Sequence, residues 1–344
     1  GDVSGRIINF NIGALKAEAV FSSGILSGSV QNVFGSTNNL FRTESSGIFQ
    51  NIGNTSGLTF GFGTSSGTYL NVVSGKSIFP SNIGGNTFSG IAINCIAKLE
   101  SFCNGFFAGL AISCYGGNSS FGGLRTVAMS TNMNFTGVAI SCSAGDDSFG
   151  PEFSGTCISC RAGNRSFGSA VNSGGDENID FSGTLMGCIG GNECFGSGLI
   201  LSPAGSMTIT ALIRDCVAGI NSYGAVPVGV SSVMNGTIDN CTFANETNTV
   251  IGGLVQNCRI VANGINASPV VAGNGAKFYD CTLIATGTGN GINATSPVNI
   301  IADVRTNAAL AGSITVIAAT TSVALPMMPI RLGRRPTIAR SAPA

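Results

Sequence analysis

Between Ser89 and Gly196 one phrase occurs five times with small changes: SGIAINCIAKLESFC, AGLAISCYGGNSSFG, TGVAISCSAGDDSFG, SGTCISCRAGNRSFG and SGTLMGCIGGNECFG. Each copy leads from a small residue and Gly through apolar alternation to an Asn or Ser, then a Cys, and on to Ser-Phe-Gly or a variant of it. A unit this short cannot bury its apolar face alone. It must stack on copies of itself, which restricts the chain to a solenoid.

The phrase continues more loosely in both directions. Its Cys slot holds Cys95, Cys114, Cys142, Cys160, Cys188, Cys216, Cys241, Cys258 and Cys281, with Phe10, Val33, Ile52 and Val72 upstream and Val304 downstream. About fourteen coils result, and at about 4.8 Å per coil they make a rod of about 65 Å. The slot before the Cys holds Asn9, Asn32, Asn51, Asn71, Asn94, Ser113, Ser141, Ser159, Gly187, Asp215, Asn240, Asn257, Asp280 and Asp303. Short amide, hydroxyl and carboxyl side chains tolerate left-handed backbone and hydrogen-bond locally, so this column is expected to form one corner as an asparagine ladder with substitutions.

Period-two alternation identifies the inward positions. Two residues before the corner stand Ile7, Val30, Phe49, Tyr69, Ala92, Ala111, Ala139, Cys157, Leu185, Ile213, Ile238, Val255, Phe278 and Ile301. Two residues after the Cys come Ala97, Gly116, Ala144, Ala162, Gly190 and Ala218, then Phe243, Ile260 and Leu283, so the lumen is expected to be narrow in the middle and wider towards the C-terminus. Two aromatic columns, Phe102 to Tyr223 through Phe121, Phe149, Phe167 and Phe195, and Phe88 to Phe181 through Phe107, Phe135 and Phe153, complete a roughly triangular section. The rod is expected over residues 1–306, and residues 307–344 as a terminal strand region followed by an extended arm rich in Pro and Arg.

Intervals between successive Cys from Cys95 to Cys216 are 19, 28, 18, 28 and 28 residues. A bare coil takes about 18, and the surplus always enters after the Ser-Phe-Gly position: Gly123–Asn134, Ser169–Asp180 and Ser197–Thr208. Insertions at one corner stack into a lateral ridge, and loops on a rigid scaffold are where recognition concentrates. Arg125, Asp176, Glu177 and Asp180 are its candidate ligand-facing residues; plain surface elaboration is the alternative for each loop.

Net charge is zero and only 9% of residues are charged, which leaves no field to attract nucleic acid or an anionic membrane. Ala308–Ile330 is apolar but broken by Pro326 and Pro329, so no membrane insertion is expected, and Gly1–Val20 lacks the pattern of an export signal. Nine of the twelve Cys share one inward column, where parallel in-register neighbours seldom offer disulfide geometry. They read as small buried hydrophobes, and a column of free thiols favours folding in a reducing compartment. Cys157 and Cys160 form a Cys-x-x-Cys pair in which both members fit inward slots.

The chain has no His, which excludes the usual nucleophilic triads and weakens any metal site, and no Trp, which handicaps sugar stacking. No cofactor is expected, because the many Gly-x-Gly fragments are turns of the repeat. Sugar cleavage needs two carboxylates on outward slots of adjacent coils, and Asp215 with Asp239 are the candidates. Asp280 and Asp303 read as turn residues of the Asn column, Asp146 and Asp147 as ordinary corner residues.

The Asn-Cys corner after an inward Ile, Val or Ala (SGIAINC, GTIDNC, LVQNC) resembles the coil of right-handed parallel β-helices of the pectate-lyase type. Over Ser4 to Val304 the chain resembles the β-helical shafts of bacteriophage tail spikes and tail fibres. That resemblance implies an all-β fold, a right-handed parallel β-helix, and a homotrimer that contacts other virion proteins and a host surface glycan or protein. It further implies a virion location after folding in the host cytoplasm, with an adhesive and structural role. A polysaccharide-degrading lyase or hydrolase using Asp215 and Asp239 is the rival expectation, and an exported adhesin a third. Cys95 to Cys281 together with Asn94, Asn240 and Asn257 are expected to form the structural ladder.

Overall fold

The structure is a computed structural model that describes residues 2, 4–12, 25–35, 39–41, 44–54, 58–60, 64–75, 78, 87–98, 102, 106–122, 134–169, 178–197, 206–223, 231–245, 250–251, 253–262, 271–272, 276–285, 292–302, 304–308 and 310–316. No helix occurs among them. The chain is an all-β parallel solenoid. One sheet runs without a break from Arg6–Ile12 to Leu310–Val316, each coil pairing in parallel with the next. The register repeats the sequence alignment: Ala92 pairs Ala111, Ala111 pairs Ala139, and Ala139 pairs Cys157.

A second sheet stacks the segments that carry the Phe88 to Phe181 column, from Thr87–Phe88 to Ser231–Met234. A third, after the Cys, runs from Val217–Ile220 to Arg305–Thr306 and extends back as single bridges through Ile189, Arg161, Ser143 and Tyr115 to Ile96. It shrinks to bridges where the Ser-Phe-Gly phrase occurs, because that phrase bends the backbone again within a few residues.

The expected corner is left-handed throughout. From Asn9 (φ 55°) to Asp280 (φ 43°) every member of the column has positive φ, Ser113, Ser141, Ser159 and Gly187 included. The side-chain ladder is shorter than the corner. Asn32 donates to Asn9 at 2.8 Å, Asn51 to Asn32 at 2.9 Å and Asn71 to Asn51 at 3.1 Å. Serine hydroxyls are too short to continue it, so through Ser113, Ser141, Ser159 and Gly187 the column carries on as backbone geometry alone, and a side-chain bond resumes where Asn240 donates to Asp215.

The Ser-Phe-Gly coils hold two further left-handed positions, for example Asp147 (φ 57°) and Phe149 (φ 58°). A bulky residue there is strained; stacking offsets the strain. Phe121 lies 4.8 Å from Phe149 at 3° and Phe149 lies 4.7 Å from Phe167 at 7°. The two aromatic columns interlock edge to face, Phe107 on Phe121 and Phe135 on Phe149, each at 5.6 Å. Where both columns are present the inward slot is Ala92, Ala111, Ala139, Cys157 and then Leu185; before the Ser-Phe-Gly phrase begins it is Phe49 or Tyr69, and after it ends Ile238, Val255 and Phe278. Large and small residues thus trade places to keep the lumen filled.

The Gly of each small-Gly pair is required by stacking. A Cβ on Gly109, Gly137 or Gly155 would overlap the carbonyl oxygen of Gly90, Gly109 or Gly137 in the coil below. Ala144 and Ala162 are only partly buried against the core, and the expected inward Ile301 is displaced: Phe278 pairs Ile300 and Tyr279 pairs Ala302, so a bulge falls at that position. Asp303, Arg125, Asp176, Glu177 and the arm from Pro326 onwards lie outside the described residues.

Candidate functional site

All eleven described cysteines are buried and unpaired. In the middle of the column the thiols donate to the inward-slot carbonyl of the coil below: Cys114 to Ala92 at 3.4 Å, Cys142 to Ala111 at 3.4 Å, Cys160 to Ala139 at 3.3 Å and Cys188 to Cys157 at 3.4 Å. Cys95, Cys216, Cys241, Cys258 and Cys281 continue the same buried line. Burial pushes the Cys157 thiol up to about 11 and the Cys194 thiol up to about 12, so neither is a nucleophile near neutral pH. Among the described residues no cluster of three or more His, Cys, Asp or Glu could hold a metal ion.

Asp215 and Asp239 occupy adjacent coils, but both carboxylates are engaged. Asp239 accepts from Arg214 Nε at 3.0 Å and from Asn257 Nδ2 at 2.9 Å. Burial raises its pKa, and the hydrogen bonds from Asn257, Gln256 and Arg214 outweigh that and hold the carboxyl below its usual range. Asp215 sits in the left-handed corner at φ 55° and accepts from Asn240 Nδ2 at 2.5 Å. Asn257 therefore reaches Asp239 rather than Asn240. Asn94 keeps the corner's φ of 53°. The pair ties coils together, Asp239 through both carboxylate oxygens and Asp215 through one.

A second set of corner bonds escaped the sequence reading. Three residues before each Phe of the phrase stand Asn118, Asp146, Asn164 and Asn192. The side-chain Oδ1 of each accepts a backbone N–H of the next coil, from Asp146, Asn164, Asn192 and Ile220, at 2.7 to 3.1 Å. Beside it the Ser of Ser-Phe-Gly accepts from the coil below: Ser148 Oγ from the Ser120 N–H at 3.2 Å, Ser166 Oγ from the Ser148 N–H at 3.1 Å. Cys194 replaces that Ser and takes the Ser166 N–H at 3.5 Å. A carboxylate serves here as well as an amide because only an acceptor is needed, which is why Asp146 is tolerated.

The insertions leave and rejoin the scaffold on one side. Asn134, Asp180 and Thr208 close them, and all three stand one residue before an inward residue of the second sheet, Phe135, Phe181 and Ile209. Glu152 occupies the same position in the short coil that carries no insertion, paired in register with Asn134. A shallow notch of about 210 Å³ opens there, lined by Asn134, Glu152, Ser154, Asp180 and Ser182 over the buried ring of Phe153. Glu152 and Asp180 stand on neighbouring strands, whose backbones lie about 4.8 Å apart along the stack. The notch presents two carboxylates, an amide and two hydroxyls, a set suited to the hydroxyl groups of a polyol. Asp180 was legible as a loop candidate; Glu152 follows from asking what precedes the Phe in MNFTG, PEFSG and IDFSG.

Fold and site together define a parallel β-solenoid with a filled lumen, corner ladders and a polar notch at the root of its insertions. No protein-family model, curated protein or solved structure matches the chain.

Proposed function

We propose that the chain is the rigid, non-enzymatic shaft of a virion surface appendage of the tail-spike or tail-fibre kind, holding its stacked insertions against a host surface glycan or protein. The reading is supported by a coil stack bonded at its corners, by buried free thiols that suit assembly in a reducing cytosol, and by insertions whose described ends leave and rejoin one side of the rod. The single observation that carries its non-enzymatic part is the engagement of Asp215 and Asp239 in bonds between coils. The notch around Glu152 and Asp180 is the natural place for a sugar hydroxyl to dock beside the ridge.

Incubating the purified chain with host surface polysaccharide tests this. Saturable binding without accumulation of shortened glycan is expected. Sustained turnover lost on Asp215→Asn or Asp239→Asn would overturn the proposal. A second reading, glycan cleavage, is favoured by one observation only: Glu152 and Asp180 line the same notch from adjacent coils, as two carboxylates that flank a glycosidic bond must. Turnover abolished by Glu152→Gln or Asp180→Asn would establish it.

A further inference from the structure

Carboxylates at the corners of this rod are supplied with donors by the chain itself. Asp147 takes Arg165 Nε at 2.7 Å, Asp146 accepts the Asn164 N–H at 2.7 Å, and Asp239 and Asp215 accept from Arg214, Asn257 and Asn240. The notch at the root of the insertions departs from this. Phe153 pairs Phe181, which sets Glu152 beside Asp180, and no described residue gives either carboxylate a hydrogen bond or an ion pair. Like charges side by side on adjacent strands repel, and nothing among the described residues offsets that repulsion. A second, independent observation comes from the coil below. Asn134 pairs Glu152 and lines the same notch, and its Oδ1 is buried with no hydrogen-bond partner. A buried acceptor left unsatisfied is costly, so three acceptors in a row point to a donor from outside the chain.

We infer that the notch binds an amino sugar through its protonated amine, with the ammonium seated at Glu152 between Asp180 and Asn134. The number of donors selects this group. Asn134, Glu152 and Asp180 follow one another at one strand spacing, so three acceptor side chains converge on the middle coil, and an alkylammonium carries three N–H donors. A guanidinium forks onto a single carboxylate and fits a column of separate acceptors less well. A calcium ion takes about six to eight oxygens spread around it, whereas these side chains rise from one face of one sheet.

The surroundings select the sugar. Two residues further along the same strands, Ser154 and Ser182 line the notch with exposed hydroxyls, about 7 Å from the carboxylate column. A sugar ring carries its amine and its hydroxyls on that scale. A lysine side chain brings one polar group and leaves both serines unused. The volume, about 210 Å³, gives room for one ring rather than a length of chain. An uncharged or N-acetylated sugar would leave the two carboxylates uncompensated, so the amine decides what is recognised. The inference rests on the reading of this side of the rod as glycan-facing and names the class of sugar that its notch takes.

Isothermal titration calorimetry of the purified full chain at low ionic strength tests it, with a glucosamine tetramer, the N-acetylated tetramer and calcium chloride as probes. Saturable binding of the glucosamine tetramer is expected. N-acetylation of the sugar, Glu152→Gln and Asp180→Asn are each expected to weaken it about tenfold or more, because each removes a charge-assisted bond. Both variants exchange an outward carboxylate for an amide of the same shape, and circular dichroism checks their fold. Asp280→Asn, which removes an exposed carboxylate on a distant coil, is expected to change nothing. A glucosamine tetramer that does not bind, binding that survives N-acetylation, or binding unchanged in both notch variants overturns the inference. Calcium that saturates the wild-type chain and is lost in the same variants overturns it too. Host polysaccharide bound without cleavage while the glucosamine tetramer is ignored sinks the amine alone and leaves the shaft reading standing; host polysaccharide left unbound sinks the shaft reading, whatever the tetramer does.

Discussion

Asp239 receives Arg214 Nε on one carboxylate oxygen at 3.0 Å and Asn257 Nδ2 on the other at 2.9 Å, so one side chain ties three successive coils together. Its folded pKa lies below the ordinary value, so its stabilisation is full above the unfolded pKa of about 3.9 and is lost as pH falls through the folded value. Asp239→Asn is expected to lower stability at pH 7 by about 1 to 2 kcal/mol, with the difference from wild type shrinking below pH 3 to 4. Urea unfolding midpoints at pH 7 and pH 3 check both halves.

The two buried phenols make opposite cases. Tyr69 donates to the Ser45 carbonyl at 3.1 Å and shares a hydrogen bond with the Ser45 hydroxyl, whereas the Tyr223 hydroxyl is buried with no hydrogen-bond partner. Tyr69→Phe leaves a buried acceptor short and is expected to cost about 1 to 2 kcal/mol; Tyr223→Phe is expected to be neutral or stabilising. Thermal melts of the two single variants, read side by side, separate them.

The glycine column makes a steric case. A methyl group on Gly137 would overlap the Gly109 carbonyl oxygen and crowd the Phe107 ring, so Gly137→Ala must push adjacent coils apart. A loss of about 2 kcal/mol or more is expected, well beyond the ~1 kcal/mol gain that Ala brings over Gly at an unstrained site. A melting temperature equal to or above wild type would show that the coils are not in this register.

Much of the fold was legible because a solenoid writes its three-dimensional neighbours into its repeat. The spacing of Asn9, Asn32, Asn51 and Asn71 placed a left-handed corner, and alternation placed Ala92, Ala111 and Ala139 inside. What stayed hidden turns on side-chain reach. Nothing in the letters says that Ser113 keeps the corner's backbone but cannot carry the Asn ladder across it, or that Asn257 bonds Asp239 and not Asn240. The bulge that displaces Ile301 is invisible for the same reason, since one extra residue looks like ordinary coil-length variation. The notch was half legible: Asp180 stands out within an insertion, but Glu152 sits in the plainest coil of the chain and gains meaning only from its neighbours above and below.

One line of sulfurs runs inside one stack of coils. Brief alkylation of the native chain under non-denaturing conditions, followed by mass-spectrometric mapping against a fully denatured control, reads that line residue by residue. Cys95, Cys114, Cys142, Cys160, Cys188, Cys216, Cys241, Cys258 and Cys281 are expected to stay unmodified in the native chain and to react fully, as free thiols, once it is unfolded. Ready native labelling along the column, or disulfides among its members, would contradict the stack.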